Sequence, residues 1–169
     1  SEANPILVRI LEDITQHPMV RHEAAEALGA IGSPEIVNVL EKYKSDSSIE
    51  VAETCQLALE RIHWFQAPDK SFSENPYHSV DPAPPAEFES VQELKKILID
   101  ENESLFNRYR AMFSLRNLRT REAVEALGVG LKYGGALFKH EVAFVLGQLQ
   151  DKHSIKYLQK SLEDIKENE

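Results

Sequence analysis

A histidine followed directly by a glutamate occurs twice in this chain, as His22-Glu23 and, 118 positions later, as His140-Glu141. Neutral imidazole and carboxylate are ligands that suit iron, manganese or zinc. Both pairs follow a basic residue and precede a run with alanine, leucine and glycine in matching places. These residue types in this pattern predict that both pairs contribute to a metal site.

Neither pair fits two common metal-binding patterns. The run after His22 lacks the second histidine of the zinc-protease helix H-E-x-x-H. Glutamate and histidine are adjacent, whereas ferritin-like di-iron bundles space them three apart. Adjacent helical residues point about 100° apart, so one pair alone is expected to be a poor chelate for one ion. A site must therefore gather pairs from several helices.

The two pairs belong to an internal repeat. Residues 21–31 align with residues 139–149, and two weaker copies begin at Val51 and Arg108. Copies are spaced by 31 residues, except that the middle interval of 56 holds about 25 extra residues. In the two weaker copies, the His-Glu positions hold Glu53-Thr54 and Tyr109-Arg110. Because the repeat does not require His-Glu for packing, a functional role is favoured over a structural one.

Each repeat unit is predicted to be a pair of helices. Small residues and leucine recur at helical spacing, and Pro5 and Pro34 follow residues that commonly begin helices. The first helices are expected at about 5–15, 34–44, 88–100, 121–132 and 153–166, and the second helices at about 19–31, 48–63, 104–118 and 136–149. Paired helices repeating every 31 residues predict an all-α, HEAT-like solenoid.

The extra residues divide the repeats into two blocks. Residues 65–87 hold five of the eight prolines, which favours an extended linker that lets the blocks close on each other. The predicted organisation is a repeat block at 1–64, the linker, and a second block at 88–169. The apolar face of the last helix has no following helix to cover it. We therefore expect a longer repeat protein, a homodimer, or a partner chain that covers this face.

Composition narrows the class of protein. The net charge of −9 disfavours a nucleic-acid partner and would suit a cationic one. No apolar run is long enough to span a bilayer, and the first residues lack the basic start of a signal peptide. A single cysteine, Cys55, cannot form an internal disulfide and is expected to be a buried, inert thiol. A cytoplasmic location is the expectation.

The segments around the pairs resemble the deoxyhypusine hydroxylase family. The resemblance rests on HPMVRHEAAEALGAIG at 17–32, SVDPAPPAE at 79–87 and LFKHEVAFVLGQLQ at 137–150, and it extends over essentially the whole chain. It implies a HEAT-repeat protein of two similar halves with a non-haem di-iron centre between them. It also implies an oxidoreductase that uses molecular oxygen to hydroxylate the deoxyhypusine side chain of a eukaryotic translation factor, giving hypusine.

The resemblance assigns roles to the four residues of the pairs. His22 is similar to an iron ligand, and His140 and Glu141 to a ligand pair. Glu23 corresponds either to an iron ligand or to the carboxylate that orients the cationic amine of the substrate, and the second role is favoured. A carboxylate beside a protonated amine can fix a long side chain by a charge-assisted hydrogen bond.

The chain departs from the family pattern in one respect. The family carries four His-Glu motifs, and this sequence has two, similar to the second and the third. The resemblance therefore implies that this chain alone lacks ligands and is catalytically inactive. Two alternatives remain open: a non-catalytic HEAT-repeat scaffold that binds a partner peptide, and a repeat protein similar to phycobilin lyases. Bound iron would favour the hydroxylase hypothesis over these two alternatives, because a scaffold needs no iron.

Overall fold

The computed structural model describes residues 1–68, 70–87 and 90–167. Within these ranges the chain forms nine α-helices and two 3-10 turns, with no β-strand, so the all-α prediction is confirmed. The helices are α1 (Asn4–Glu12), α2 (Pro18–Ile31), α3 (Val37–Tyr43), α4 (Ile49–Gln66), α5 (Val91–Ile99), α6 (Leu105–Leu118), α7 (Arg121–Gly130), α8 (Ala136–Leu149) and α9 (Ile155–Leu162). None of the helices in these ranges is long and apolar enough to cross a membrane.

Several helix ends differ from the sequence prediction: α1 ends at Glu12 instead of 15, and α3 begins at Val37 after a 3-10 turn at Pro34–Ile36. Helix α4 continues through Gln66, two residues into the predicted linker. Helix α5 begins at Val91 because Ser90 and Glu93 form a capping box, and residues 88 and 89 of its predicted start lie outside the described residues. Helix α9 ends at Leu162 instead of 166, since Asp164 turns the chain by accepting a bond from the Lys166 amide at 3.0 Å.

Contacts divide the chain into two compact units. One comprises Ser1–Lys70 with Val80–Ala83, and the other comprises Ser71–Ser79 with Pro84–Glu169. In the first unit α2 packs against α1 and α4, and α3 packs against α4. In the second, α5 packs on α6 and α7, while α8 packs on α6 and α7 and α9 packs on α7. Each His-Glu pair therefore lies on a second helix that is held by its neighbours.

The first unit depends on a close approach of α2 and α4. At Gly29 a Cβ atom would lie 2.6 Å from the Cβ of Ala58, so a side chain there would force the helices apart. Around this contact the core is aliphatic and fully buried, with Leu11, Leu28, Leu40 and Val51 among its members. The close packing fixes the helix that carries His22.

An arginine fastens a second helix to the preceding first helix in both units. Arg21 Nε donates to Leu11 O at 2.9 Å, and Arg108 Nε donates to Leu98 O at 3.0 Å. Both carbonyls lie in the last turn of a helix, where they have no partner within the helix itself. Arg21 also forms a bidentate pair with Asp46, at 2.6 and 3.2 Å. Because Arg21 directly precedes His22, this pair helps to fix the backbone at the candidate site.

The proline-rich segment has no helix over its described residues after Gln66, as predicted. It is, however, attached and not a free tether over residues 71–79. The Tyr77 ring lies under two guanidinium groups, those of Arg116 at 4.5 Å and Arg119 at 4.6 Å from the ring centroid. Arg116 also donates to Asn75 Oδ1 at 3.1 Å, and it is fully buried. Cation–π contacts and hydrogen bonds to α6 thus hold the segment, which composition alone does not reveal.

Candidate metal and substrate site

Helix α2 begins with signals that place His22 and Glu23 in its second turn. His17 is the N-cap residue, and its Nδ1 accepts a bond from the Met19 amide at 3.2 Å. Pro18 occupies the first helical position, where its missing N–H costs nothing. His22 is buried, with 2% of its surface exposed, whereas Glu23 has an exposed side chain.

The His22 and Glu23 side chains converge despite their adjacent positions. His22 Nε2 lies 3.5 Å from Glu23 Oε1. With metal–ligand bonds of about 2.1 Å, two ligand atoms lie roughly 3.0–3.5 Å apart when the angle at the ion is about 90–110°. The expectation that one pair would be a poor chelate stays a prediction, although these two atoms lie close enough to share an ion. The long glutamate side chain compensates for the 100° offset of the two Cα–Cβ directions.

A threonine from the next repeat lies against the other ring nitrogen of His22. Thr54 Oγ1 is 3.4 Å from His22 Nδ1 and donates to Glu50 O at 2.7 Å. Thr54 is buried on α4, at the position that aligns with Glu23. Sequence reasoning gave Thr54 no role. The only available signal was its place in the repeat alignment, next to the His-Glu register.

The second pair has a different environment. His140 is exposed and Glu141 is half-buried on α8. The preceding residue, Lys139, pairs with Glu167 at 2.7 Å. The equivalent base in the first unit, Arg21, is instead buried against Asp46. The same sequence register therefore carries a buried imidazole in one unit and an exposed imidazole in the other.

The aligned position in the remaining repeat holds an arginine with a structural role. Arg110 donates to Ser71 O at 2.9 Å and to Pro84 O and Pro85 O, each at 3.3 Å. Its neighbour Tyr109 is buried, with an edge contact to the Phe113 ring and a tilted contact to the Phe138 ring. Arg110 thus ties the proline-rich segment to α6, a role that the sequence analysis missed.

Negative charge accumulates on α2 one turn beyond the first pair. Burial raises the pKa of Glu26, and the nearby carboxylates of Glu23 and Asp81 raise it further. Burial lowers the pKa of Arg61, which donates to Asp81 O at 3.1 Å and to Gly29 O at 2.9 Å. The carboxylates create a locally negative potential, which favours a cation beside Glu23.

The residues of each unit offer an ion two side chains of suitable chemistry. Among residues 1–68, 70–87 and 90–167, no group of three or more histidine, cysteine, aspartate or glutamate side chains could hold a metal. His22 and Glu23 nevertheless fit a transition ion in donor type and in separation. His140 and Glu141 fit in donor type.

Different environments surround Cys55 and the histidines outside the two pairs. Cys55 is fully buried, and burial raises the pKa of its thiol to about 12, which confirms the expected inert thiol. His153 Nδ1 lies 2.7 Å from Asp151 Oδ1 at the turn before α9. His78 is exposed in the proline-rich segment with a φ of 52°, and His63 is exposed near the end of α4.

Comparison with protein families agrees with the helical repeats. A family described as HEAT repeats matches residues 1–60. A family described as PBS lyase HEAT-like repeat matches residues 108–133 and 138–164. Both descriptions name a repeat architecture, which confirms the predicted HEAT-like fold.

Individual relatives carry one name. Deoxyhypusine hydroxylase of Drosophila melanogaster is 60% identical over 100% of this chain and 56% of its own length. The Danio rerio protein of that name is 57% identical, with 98% and 56% covered. The Homo sapiens protein is 54% identical, with 99% and 56% covered. A solved structure of human deoxyhypusine hydroxylase in complex with glycerol matches with a TM-score of 0.93 and 54% identity, over 99% of this chain and 58% of that one.

The chain thus spans a little over half the length of the curated relatives it matches. The agreement of fold, repeat register and sequence leads to one identification. This chain is a HEAT-repeat protein that is homologous to the deoxyhypusine hydroxylases over its whole length.

Proposed function

We propose that this chain is part of a cytoplasmic deoxyhypusine hydroxylase, an oxygen- and iron-dependent monooxygenase. Its substrate would be the deoxyhypusine side chain of a eukaryotic translation factor, and its product would be hypusine. The observation that supports this best is the His-Glu pair at the same register of two repeats, in a chain up to 60% identical to proteins of that name. A scaffold without chemistry gives no reason for the pairs.

The two pairs would supply iron ligands. His22 and Glu23 have the donor types and the separation that one ion requires. His140 and Glu141 offer the same donor types on α8. Bound iron would supply the binding and activation of dioxygen. The α-helices would hold the ligand side chains and exclude water from the buried His22 imidazole.

Glu23 has two candidate roles, and the structure gives each a physical basis. Its Oε1 atom is close enough to His22 Nε2 to share an ion, which supports a ligand role. Its exposure and the negative potential from Glu26 and Asp81 would also suit the protonated amine of deoxyhypusine. We propose the substrate role, because Glu23 is exposed and shares a negative potential with Glu26 and Asp81, whereas a 3.5 Å contact between an imidazole and a carboxylate also forms without a metal.

A partner is expected at the last helix. Ile155 and Leu162 of α9 are exposed, at 59% and 88%, and Ile165 beyond the helix is 98% exposed. Apolar side chains grouped in this way commonly mark a contact surface. Further repeats of a longer chain, a second copy or another protein would bury them.

The test uses the chain extended to the full length of its relatives, so that all four motifs are present. Iron content and turnover of a deoxyhypusine-containing translation factor are measured for His22→Ala, His140→Ala and Glu23→Gln. Loss of iron and of turnover in both histidine variants is expected, whereas Glu23→Gln should keep its iron and raise KM. If Glu23→Gln loses its iron, the ligand role holds instead. Retention of iron and turnover in both histidine variants would reject the proposed site.

A further inference from the structure

Phe144 is an exposed aromatic residue on α8, one helical turn beyond the His140-Glu141 pair. It has 54% of its surface exposed. Among residues 1–68, 70–87 and 90–167, no other aromatic ring and no cation lies against its ring. His140, Phe144 and Gly147 are all exposed, and their spacing places them on one face of the helix. The Phe144 ring is therefore available to a molecule that binds beside the pair.

The preceding repeat shows what the same register does in α6. Phe113 aligns with Phe144 at the 31-residue spacing, and it is buried, with 1% of its surface exposed. The guanidinium carbon of Arg116 lies 4.8 Å from the centroid of the Phe113 ring. The same carbon lies 4.5 Å from the centroid of the Tyr77 ring in the proline-rich segment. One cation therefore contacts both a ring of the helix and a ring of an extended segment.

Helix α8 has the aromatic ring of this arrangement but not the cation. Gly147 occupies the position that aligns with Arg116, and a Cβ atom there would meet nothing within 4 Å. The position of Arg110, whose guanidinium binds carbonyls of the proline-rich segment, holds Glu141 in α8. Both guanidinium groups are thus replaced, one by open space and one by a carboxylate. This face of α8 suits a cation that comes from a bound molecule.

We infer that Phe144 is a substrate-binding residue whose ring contacts a protonated amine of the deoxyhypusine side chain, in the space left open at Gly147. The inference rests on the proposed function, which supplies the substrate. Deoxyhypusine is a lysine whose amine carries an aminobutyl group, so its side chain joins two protonated amines by methylene groups. The face of an aromatic ring attracts an ammonium group, and its carbon atoms pack against methylene groups.

The position of Phe144 suits a long and flexible side chain. Side chains one turn apart on a helix have Cβ atoms about 5–6 Å apart. A chain that brings a methylene group to the His140-Glu141 pair can therefore bring a neighbouring amine to the Phe144 ring. Excluding water from the ring by the bound chain would strengthen the attraction between the ring and the ammonium group.

The test measures substrate affinity in the iron-loaded, full-length protein under nitrogen, so that no substrate is consumed. Calorimetry gives the Kd for the translation factor in its deoxyhypusine form and in its unmodified lysine form. Phe144→Leu removes the ring and keeps apolar bulk, and it should bind the deoxyhypusine form about 5- to 20-fold more weakly, with the lysine form unchanged. Phe144→Trp keeps an aromatic face and should stay near the unaltered value.

A second variant recreates the arrangement of α6. Gly147→Arg places a guanidinium beside Phe144, as Arg116 does beside Phe113, and should weaken binding of the deoxyhypusine form at least as much as Phe144→Leu. Because a Cβ at Gly147 meets nothing within 4 Å, this variant should fold, and thermal unfolding checks that it does. Ile6→Ala is the matched control, since it removes an equally exposed apolar side chain from α1 and should leave both affinities unchanged.

Unchanged affinity for the deoxyhypusine form in Phe144→Leu and Gly147→Arg would overturn the inference. So would an equal loss of affinity for both forms of the factor, because the ring would then contact the body of the factor or another part of the protein. In either case, an unaltered protein that prefers the deoxyhypusine form leaves the proposed function intact. An unaltered protein that does not distinguish the two forms would contradict the proposed function and the inference together. If Phe144→Leu does not fold, Gly147→Arg decides.

Discussion

At the scale of single residues, one register of the repeat carries several different kinds of side chain. The position aligned with Glu23 holds Thr54, Arg110 and Glu141 in the other repeats. Thr54 contacts His22, while Arg110 binds backbone carbonyls of the proline-rich segment. Side chains at this position can therefore contact neighbouring elements, and the contact they make differs from repeat to repeat.

The pair of Arg21 and Asp46 gives stability a specific pH dependence. The bond to Arg21 holds the pKa of Asp46 below its ordinary value of about 3.9. The contribution of this pair to the free energy of unfolding is therefore complete well above that pH. It is lost as the pH falls through the pKa of Asp46 in the folded protein. Asp46→Asn should reduce the free energy of unfolding by about 3 kcal/mol at pH 7, because Arg21 loses its charged partner in a buried position.

Urea unfolding of both proteins at pH 7 and near pH 2.5 measures this effect. The difference between them should shrink at the lower pH. Glu41→Gln is the control, since the pair of Glu41 and Lys44 is exposed and should contribute less than about 1 kcal/mol. A difference that stays constant with pH would contradict the account of Asp46.

Sequence reasoning found the residues of the pairs but not their surroundings. His22, Glu23, His140 and Glu141 stand out by type and spacing. Burial of His22, exposure of His140 and the contact with Thr54 depend on packing between helices, which a linear pattern does not encode. The 3.5 Å distance between His22 Nε2 and Glu23 Oε1 could also not be inferred from the directions of the Cβ atoms alone.

At the scale of elements, two glycines at the same register provide a matched test of helix packing. At Gly29 on α2 a Cβ would lie 2.6 Å from Ala58 Cβ, whereas at Gly147 on α8 a Cβ would meet nothing within 4 Å. Gly29→Ala should lower the free energy of unfolding by about 1–3 kcal/mol through overpacking. Gly147→Ala should raise it by about 0.5–1 kcal/mol through helix propensity.

Thermal and urea unfolding of the two variants compares these effects directly. The substitution and the register are the same in both variants. Opposite changes in the free energy of unfolding would therefore be due to the close approach of α2 to α4. An equal change in both variants would show that the close approach at Gly29 does not limit packing.

The attachment of the proline-rich segment to α6 makes a second element-scale prediction. Arg116→Met removes the guanidinium above Tyr77 and the bond to Asn75. Amide hydrogen exchange of residues 71–79 should rise several-fold, because the segment loses its buried contact. Arg121→Met is the control, as Arg121 is exposed and pairs with Glu125 at the start of α7. Unchanged exchange in Arg116→Met would show that other contacts hold the segment.

The helices were largely predictable, whereas the attachment of the segment was not. Apolar periodicity and caps indicated every described helix to within a few residues. Proline content correctly predicted a segment without helix, but composition carries no information on which side chains bind it. The overextended prediction for α9 counted Ile165 as part of a helical face, although the helix ends at Leu162.

At the scale of the whole molecule, the repeat architecture and the likeness to deoxyhypusine hydroxylases agree over the length of the chain. The chain covers 56% of the relatives' own length. The resemblance implies four His-Glu motifs, of which this sequence carries two. Metal affinity is coupled to the number of ordered ligands. We therefore expect the 169-residue chain to bind iron weakly and to lack turnover by itself.

The most direct measurement compares turnover by this chain with turnover by the full-length chain. Both are purified, loaded with ferrous iron and reductant, and assayed for conversion of deoxyhypusine to hypusine on the translation factor, with bound iron and oligomeric state recorded for each. We expect iron-dependent turnover in the full-length chain and none in the 169-residue chain. Full turnover by the 169-residue chain as a monomer, or no iron-dependent turnover in the full-length chain, would contradict it.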